Sequence, residues 1–375
     1  MVLFAVLKNL MPSHRTRTIC ARFMRESCLC IAFLFCLTIP GAHADDAAYT
    51  RAQQRVDIGN GRYVNMYCVG SGTPTVVFES GLSDWGWSWA LVQPQIGMTT
   101  RACVYDRAGL GYSDAADNSI RTSGQMVNDL HQLLQRAQLA PPYLLVGHSL
   151  GGLNVRLYAD RFRDEVIGMV LVDPTHEDGL QRIDAQKNNQ ESRRYAAEIK
   201  HAKACLHRSR LVHADALFRH DCIEADDPRL SMQLNAARVR VARQIGYQRA
   251  QLSELTAYAN GASFAEVRAA RRWYGALPLV VLTASRTADN IGPEWIQLHR
   301  ELAMLSRLGV QCTVTGSGHY VQLDQPYSVV AAITRVLLQV QVQADSAAFD
   351  YNINSFDQFA AHTPLAAAPL NCPDL

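Results

Sequence analysis

The chain alternates short apolar runs with longer segments whose apolar residues recur at helical spacing. Runs rich in Val, Leu, Tyr and Cys fall at 56–58, 62–69, 75–79, 101–105, 143–146, 166–172, 279–283 and 310–315. Runs of this length bounded by Gly, Pro and Asn predict strands. The first two flank Gly59-Asn60-Gly61, a hairpin turn signal. Met126, Val127, Leu130, Leu133 and Leu134 repeat at intervals of three and four and predict a helix over 123–137. Further helices are predicted over 150–158, 293–308 and 327–342. Strands alternating with helices predict a parallel sheet covered on both faces. Residues 175–276 break that rhythm. They are rich in Gln, Arg, Ala and Leu at helical spacing and hold no strand-like run, which predicts a helical insertion over the strand ends. From 344 onward the chain is polar and Ala-rich without a clear period, which predicts a loosely ordered tail.

Composition narrows the class. Of 375 residues, 48% are hydrophobic and 19% charged, with a net charge of +2, an ordinary balance for a globular chain able to bury a sizeable core. No basic stripe or aromatic-plus-basic cluster points to nucleic acid, so that class of partner is set aside.

The N-terminus reads as a targeting segment. The apolar run 28–39 follows Arg15, Arg17, Arg22 and Arg25 and ends in Pro40-Gly41 and Ala42-His43-Ala44. That pattern predicts a signal peptide over 1–44, cleaved near Ala44, and hence export to a periplasm or the medium. The run is too short to span a bilayer comfortably, so no stable membrane insertion is expected after cleavage, although an uncleaved anchor is the competing reading. The region before Met24 is long for a signal, which makes Met24 or Met11 alternative start positions to Met1. Six of the ten cysteines lie beyond Ala44, an even number that permits disulfides in an exported protein.

The chemistry centres on Gly147-His148-Ser149-Leu150-Gly151, a G-x-S-x-G pattern fed by an apolar strand and left by a helix. In that context the serine sits on a sharp strand-to-helix turn, with its hydroxyl exposed at a helix N-terminus. A serine hydroxyl needs a base to take its proton. His319, in Thr315-Gly316-Ser317-Gly318-His319-Tyr320 directly after the last predicted strand, is the candidate, and the order Ser before His fits. His148 is expected to be structural, and His176 is a weaker rival base. Two carboxylates compete to orient the imidazole. Asp173 directly follows the strand 166–172, and Asp289 lies further down the loop after 279–283. They stand nearly level, with Asp173 slightly preferred. An oxyanion hole needs two backbone N–H groups. Leu150, after the nucleophile, supplies one, and Leu82 in Ser80-Gly81-Leu82 is chosen for the other. Trp85 and Trp87, with Trp89 beyond them, can line a substrate pocket or anchor their loop on the core.

These motifs together resemble the α/β-hydrolase superfamily over about 56–338. Tyr105-Asp106-Arg107-Ala108-Gly109-Leu110-Gly111-Tyr112-Ser113 is similar to its Y-D-R-x-G-x-G-x-S loop, and 147–152 to its nucleophile elbow. Leu171-Val172-Asp173-Pro174 and Gly318-His319-Tyr320, running on to Asp324-Gln325-Pro326, are similar to its later landmarks. The resemblance implies a mostly parallel eight-stranded sheet with helices on both faces, a helical cap after the sixth strand, and no cofactor or metal. The domains would be a first core segment at 45–174, a cap at 175–276, a second core segment at 277–343 and a tail at 344–375. The oxyanion loop departs from the usual His-Gly, reading Ser80-Gly81, which leaves the backbone N–H untouched. Epoxide hydrolases and haloalkane dehalogenases of this fold carry Asp at the elbow, so Ser149 argues against both reactions. The family's sheet order sets the second and fourth strands side by side, which implies a Cys68–Cys103 disulfide. Cys205–Cys222 within the cap and Cys312–Cys372 to the tail are the other implied pairs.

The resemblance thus implies a serine hydrolase that cleaves an ester-type acyl bond of a small, partly apolar substrate. The same residues also suit thioester, amide or carbon–carbon hydrolysis, or acyl transfer. A non-catalytic binding protein on this fold is the alternative of a different class.

Overall fold

The computed structural model describes residues 46–116, 120–211 and 215–354, within a unit that begins at Asp46. All eight predicted strands form: β1 (Gln54–Asp57), β2 (Tyr63–Val69), β3 (Thr75–Glu79), β4 (Ala102–Tyr105), β5 (Tyr143–His148), β6 (Val166–Val172), β7 (Leu279–Ala284) and β8 (Gly309–Val314). They make one sheet in the order β1-β2-β4-β3-β5-β6-β7-β8, antiparallel at β1–β2 and β2–β4 and parallel elsewhere. The β1–β2 turn places Asn60 and Gly61 at φ 57° and 67°, the left-handed geometry a tight hairpin requires.

The central strands are near-continuous apolar runs because both faces are covered. Val76, Phe78, Leu144, Val146, Val170, Val172, Val280 and Leu282 pack into the core on one side. Their neighbours Val77, Leu145, Met169, Leu171, Leu279 and Val281 pack into a second core on the other, as the two-residue period of a strand dictates. The helices Ser123–Arg136, Leu150–Arg161, Pro293–Ala303 and Pro326–Asn354 flank the sheet. Ser123–Arg136 starts with a capping box between Thr122 and Gln125, which satisfies otherwise orphaned N–H groups.

Between β6 and β7 the described chain is helical, with Gly179–Gln186, Gln190–Arg208, Asp215–Cys222, Met232–Ala242, Ile245–Ala259 and Ala262–Ala270. Cys205 and Cys222 are bonded across two of these helices. Cys68 and Cys103, register partners on β2 and β4, form a second disulfide. Cys312 is also disulfide-bonded, while Cys372 lies outside the described residues, as does the proposed signal segment.

One expectation fails. The segment after 344 is not irregular from its start, since the last helix continues through Asn354. Ala and Gln have high intrinsic helix propensity, so an existing helix propagates through Ala344-Asp345-Ser346-Ala347-Ala348 without an apolar stripe to fix it. Among the described residues no helix is long and apolar enough to cross a membrane.

Candidate active site

The carboxyl ends of β3, β5, β6 and β8 converge on one cavity of about 300 Å³. Ser149 stands at the β5 end as the residue before the helix Leu150–Arg161, at φ 53° and ψ −119°. That left-handed backbone is unusual for a residue with a Cβ and costs on the order of 1–3 kcal/mol. The surroundings enforce it: Ser149 N–H donates to the Val172 carbonyl at 3.1 Å, and its own carbonyl accepts from Gly152 N at 2.9 Å and Thr175 N at 3.0 Å.

The elbow's glycines are steric necessities. A Cβ on Gly147 would lie 2.4 Å from the Gly151 carbonyl oxygen, and one on Gly151 would lie 2.3 Å from the Glu79 carbonyl oxygen. Both obstacles are backbone and cannot swing aside. Gly151→Ala is therefore expected to lower unfolding free energy by about 1–3 kcal/mol, measured by denaturant unfolding. A variant as stable as the wild type would contradict this packing.

Of the two competing carboxylates, the structure brings only Asp173 to His319. Asp173 is fully buried at the end of β6. Its Oδ2 lies 2.7 Å from His319 Nδ1. Its Oδ1 accepts from Ala284 N at 3.0 Å and from Trp295 Nε1 at 2.9 Å. Burial alone would raise the Asp173 pKa, but the His319 hydrogen bond and charge, with the Ala284 N–H, outweigh it and hold the carboxyl below its ordinary value. Asp289 is corrected: it sits exposed on the helix Ser285–Ile291. The chain turns helical immediately after β7, which carries Asp289 along that helix instead of leaving it in a loop that could reach back.

His319 follows β8 in a loop held by Asp324, whose Oδ2 accepts from Gly318 N at 2.7 Å. His148 Nε2 lies 2.9 Å from the His319 carbonyl oxygen and donates to it. Burial, with a smaller push from His319, lowers the His148 pKa to about 3, so it is a neutral prop for the loop. His176 lines the cavity, but its Nδ1 accepts the Asp178 N–H at 3.0 Å, and burial lowers its pKa to about 4.

Leu82 and Leu150 flank Ser149. Leu82 lines the cavity, and Leu150 N–H is the first in its helix, where an N–H has no intrahelical acceptor. The expectation for the tryptophans is corrected. Trp85 and Trp87 are buried in the core and line a neighbouring pocket instead of the Ser149 cavity. Trp85 packs edge-on against Tyr112, and Arg238 sits 4.3 Å over the Trp87 ring. Large rings directly after the Ser80-Gly81-Leu82 loop bury more area by seating that loop than by facing a solvent-open cavity.

A tryptophan that does meet the site is Trp295, which lines the cavity and bonds Asp173. No sequence signal marked it, because it lies 122 positions from its partner in an ordinary amphipathic helix. Asp84 also lines the cavity. Burial, aided by Glu224, pushes its carboxyl up to about 7.

Comparison with known proteins agrees with this architecture. The uncharacterized protein YqjL of Bacillus subtilis (strain 168) is 26% identical over 266 residues, covering 70% of this chain and 83% of its own length. Among solved structures, the epoxide hydrolase CorEH superposes with a TM-score of 0.56 at 17% identity, covering 76% of this chain and 99% of that one. A thermophilic esterase from Thermogutta terrifontis superposes with a TM-score of 0.51 at 20% identity, covering 77% and 99%. At these identities the structural likeness carries the fold alone. A sequence model of the alpha/beta hydrolase fold family matches residues 74–326, and with the strand order and elbow described above the chain belongs to that family.

Proposed function

We propose that the protein is a serine hydrolase that cleaves an ester-type acyl bond. The observation that carries this reading is His319, paired with the buried Asp173 at 2.7 Å, lining the same cavity as a serine held at φ 53°. Ser149 Oγ attacks the acyl carbon while His319 Nε2 takes its proton. Asp173 fixes the imidazole with its proton on Nδ1 and stabilises the imidazolium that forms. The Leu82 and Leu150 N–H groups receive the oxyanion. His319 returns the proton to the leaving alcohol, and water, activated by the same imidazole, then cleaves the acyl-enzyme.

The cavity suits a small substrate with one apolar part. Leu180, Ile183, Ile291 and Trp295 offer apolar wall, while Glu191, Arg194 and Tyr195 of the insertion offer polar wall. A panel of p-nitrophenyl esters of increasing acyl length, run against matched thioesters and anilides, tests the reaction class. Turnover strongest on short-chain esters supports the reading, and turnover confined to thioesters or amides replaces it.

Export is proposed on the disulfides Cys68–Cys103 and Cys205–Cys222, since such bonds persist in oxidising compartments. N-terminal sequencing of the native protein is expected to begin near Asp45, and a start well upstream would refute cleavage there.

A further inference from the structure

We propose that Arg107 and Glu254 are positioning residues that aim the Leu82 N–H, so that the helical insertion sets half of the oxyanion hole. This rests on the serine-hydrolase reading above.

Arg107 follows β4 and is almost fully buried. Its Nη1 donates to the Ser80 carbonyl at 2.7 Å, and its Nη2 donates to the Gly81 carbonyl at 2.6 Å. One guanidinium therefore grips two successive carbonyls of the oxyanion loop. The Gly81 C=O and the Leu82 N–H belong to one planar trans peptide and point in opposite directions. Fixing the carbonyl toward Arg107 fixes the N–H away from it.

The peptide on the other side of Leu82 is held as well. Ser83 N–H donates to Glu254 Oε2 at 2.9 Å. Glu254 belongs to the helix Ile245–Ala259 of the insertion, 171 positions away in sequence. Its carboxylate also closes a forked pair with Arg107, accepting from Nε at 2.7 Å and from Nη2 at 2.8 Å. Such bidentate pairs fix geometry as well as charge.

The loop needs this external hold. Ser83 sits at φ 65°, a left-handed conformation that a residue with a Cβ does not adopt freely. Glu79, the third acidic neighbour at 3.0 Å from Arg107 Nη1, is raised in pKa by burial, which outweighs Arg107 and its other hydrogen bonds. Glu254, ahead of Glu79, holds the guanidinium in its charged form against the cost of burial.

Glu254→Gln tests the proposal. A carboxamide presents N–H where Ser83 N–H or Arg107 needs an acceptor, so one tie must break. Removal of an oxyanion donor costs about 10²–10³ in kcat, and a misaimed donor is expected to cost about 10- to 100-fold of that kind. KM for the best ester should stay within about threefold, because the donor acts on the transition state. Hydrogen exchange at the Ser83 amide should be slow in the wild type and fast in Glu254→Ala, which removes both acceptor oxygens.

A folded Glu254→Gln protein with wild-type kcat, or with KM rising in step as kcat holds, overturns the proposal. So does a freely exchanging Ser83 amide in the wild type, a result available even if the variant fails to fold. Failure of the serine-hydrolase reading looks different: the wild type itself would turn over no ester, whatever stands at 254.

Discussion

Ser149→Ala is expected to remove turnover almost entirely, lowering kcat by roughly 10⁶-fold, the scale seen when a nucleophilic serine is deleted from a triad. The alanine keeps the Cβ and the backbone hydrogen bonds to Val172, Gly152 and Thr175, so the elbow loses one oxygen and no packing. The thermal midpoint should stay within about 2 °C of the wild type, in line with a near-neutral stability change. Kinetics on the best ester of the panel, alongside a melting curve, separate the two quantities. A folded variant with more than about a hundredth of wild-type activity would mean that another group attacks the substrate, because residual catalysis without the nucleophile lies orders of magnitude lower.

Asp173→Asn is expected to cost about 10⁴-fold in kcat, and the reason lies in the hydrogen-bond inventory. Asp173 Oδ1 already accepts from two fixed donors, Ala284 N and Trp295 Nε1. An asparagine must keep its carbonyl oxygen there, which turns its NH₂ toward His319 Nδ1. That nitrogen must then accept, the imidazole proton moves to Nε2, and the lone pair needed for the Ser149 proton is gone. Asp289→Asn should leave kcat within about twofold, as expected for an exposed surface change. Measuring both variants with the same ester decides between the carboxylates, and large loss in Asp289→Asn with none in Asp173→Asn would reverse the assignment.

Much of this was readable from the chain because local chemistry forces it. The strands were legible because a two-sided sheet demands unbroken apolar runs, and the elbow because only glycine fits at 147 and 151. His319 was legible from its place directly after the last strand. What stayed hidden depends on distance in sequence. Nothing near Trp295 or Glu254 shows that one bonds Asp173 and the other holds Ser83. The two aspartates could not be separated because each follows an apolar strand. Only the helix that begins at Ser285 carries Asp289 away. The two destinations open to Trp85 and Trp87, pocket wall or core, could not be separated in sequence because both are apolar, and burial in the core wins. The extra length of the last helix was missed because periodicity detects packed faces, whereas Ala-rich helix ends persist on propensity.

The most direct test of the central claim is covalent labelling with a fluorophosphonate followed by peptide mass mapping. Attack on phosphorus requires a serine activated by its imidazole, independent of which ester the protein favours. The account predicts one label per chain on the peptide containing Ser149, and none in His319→Ala. An unlabelled wild type, or a label on a different residue, would contradict it.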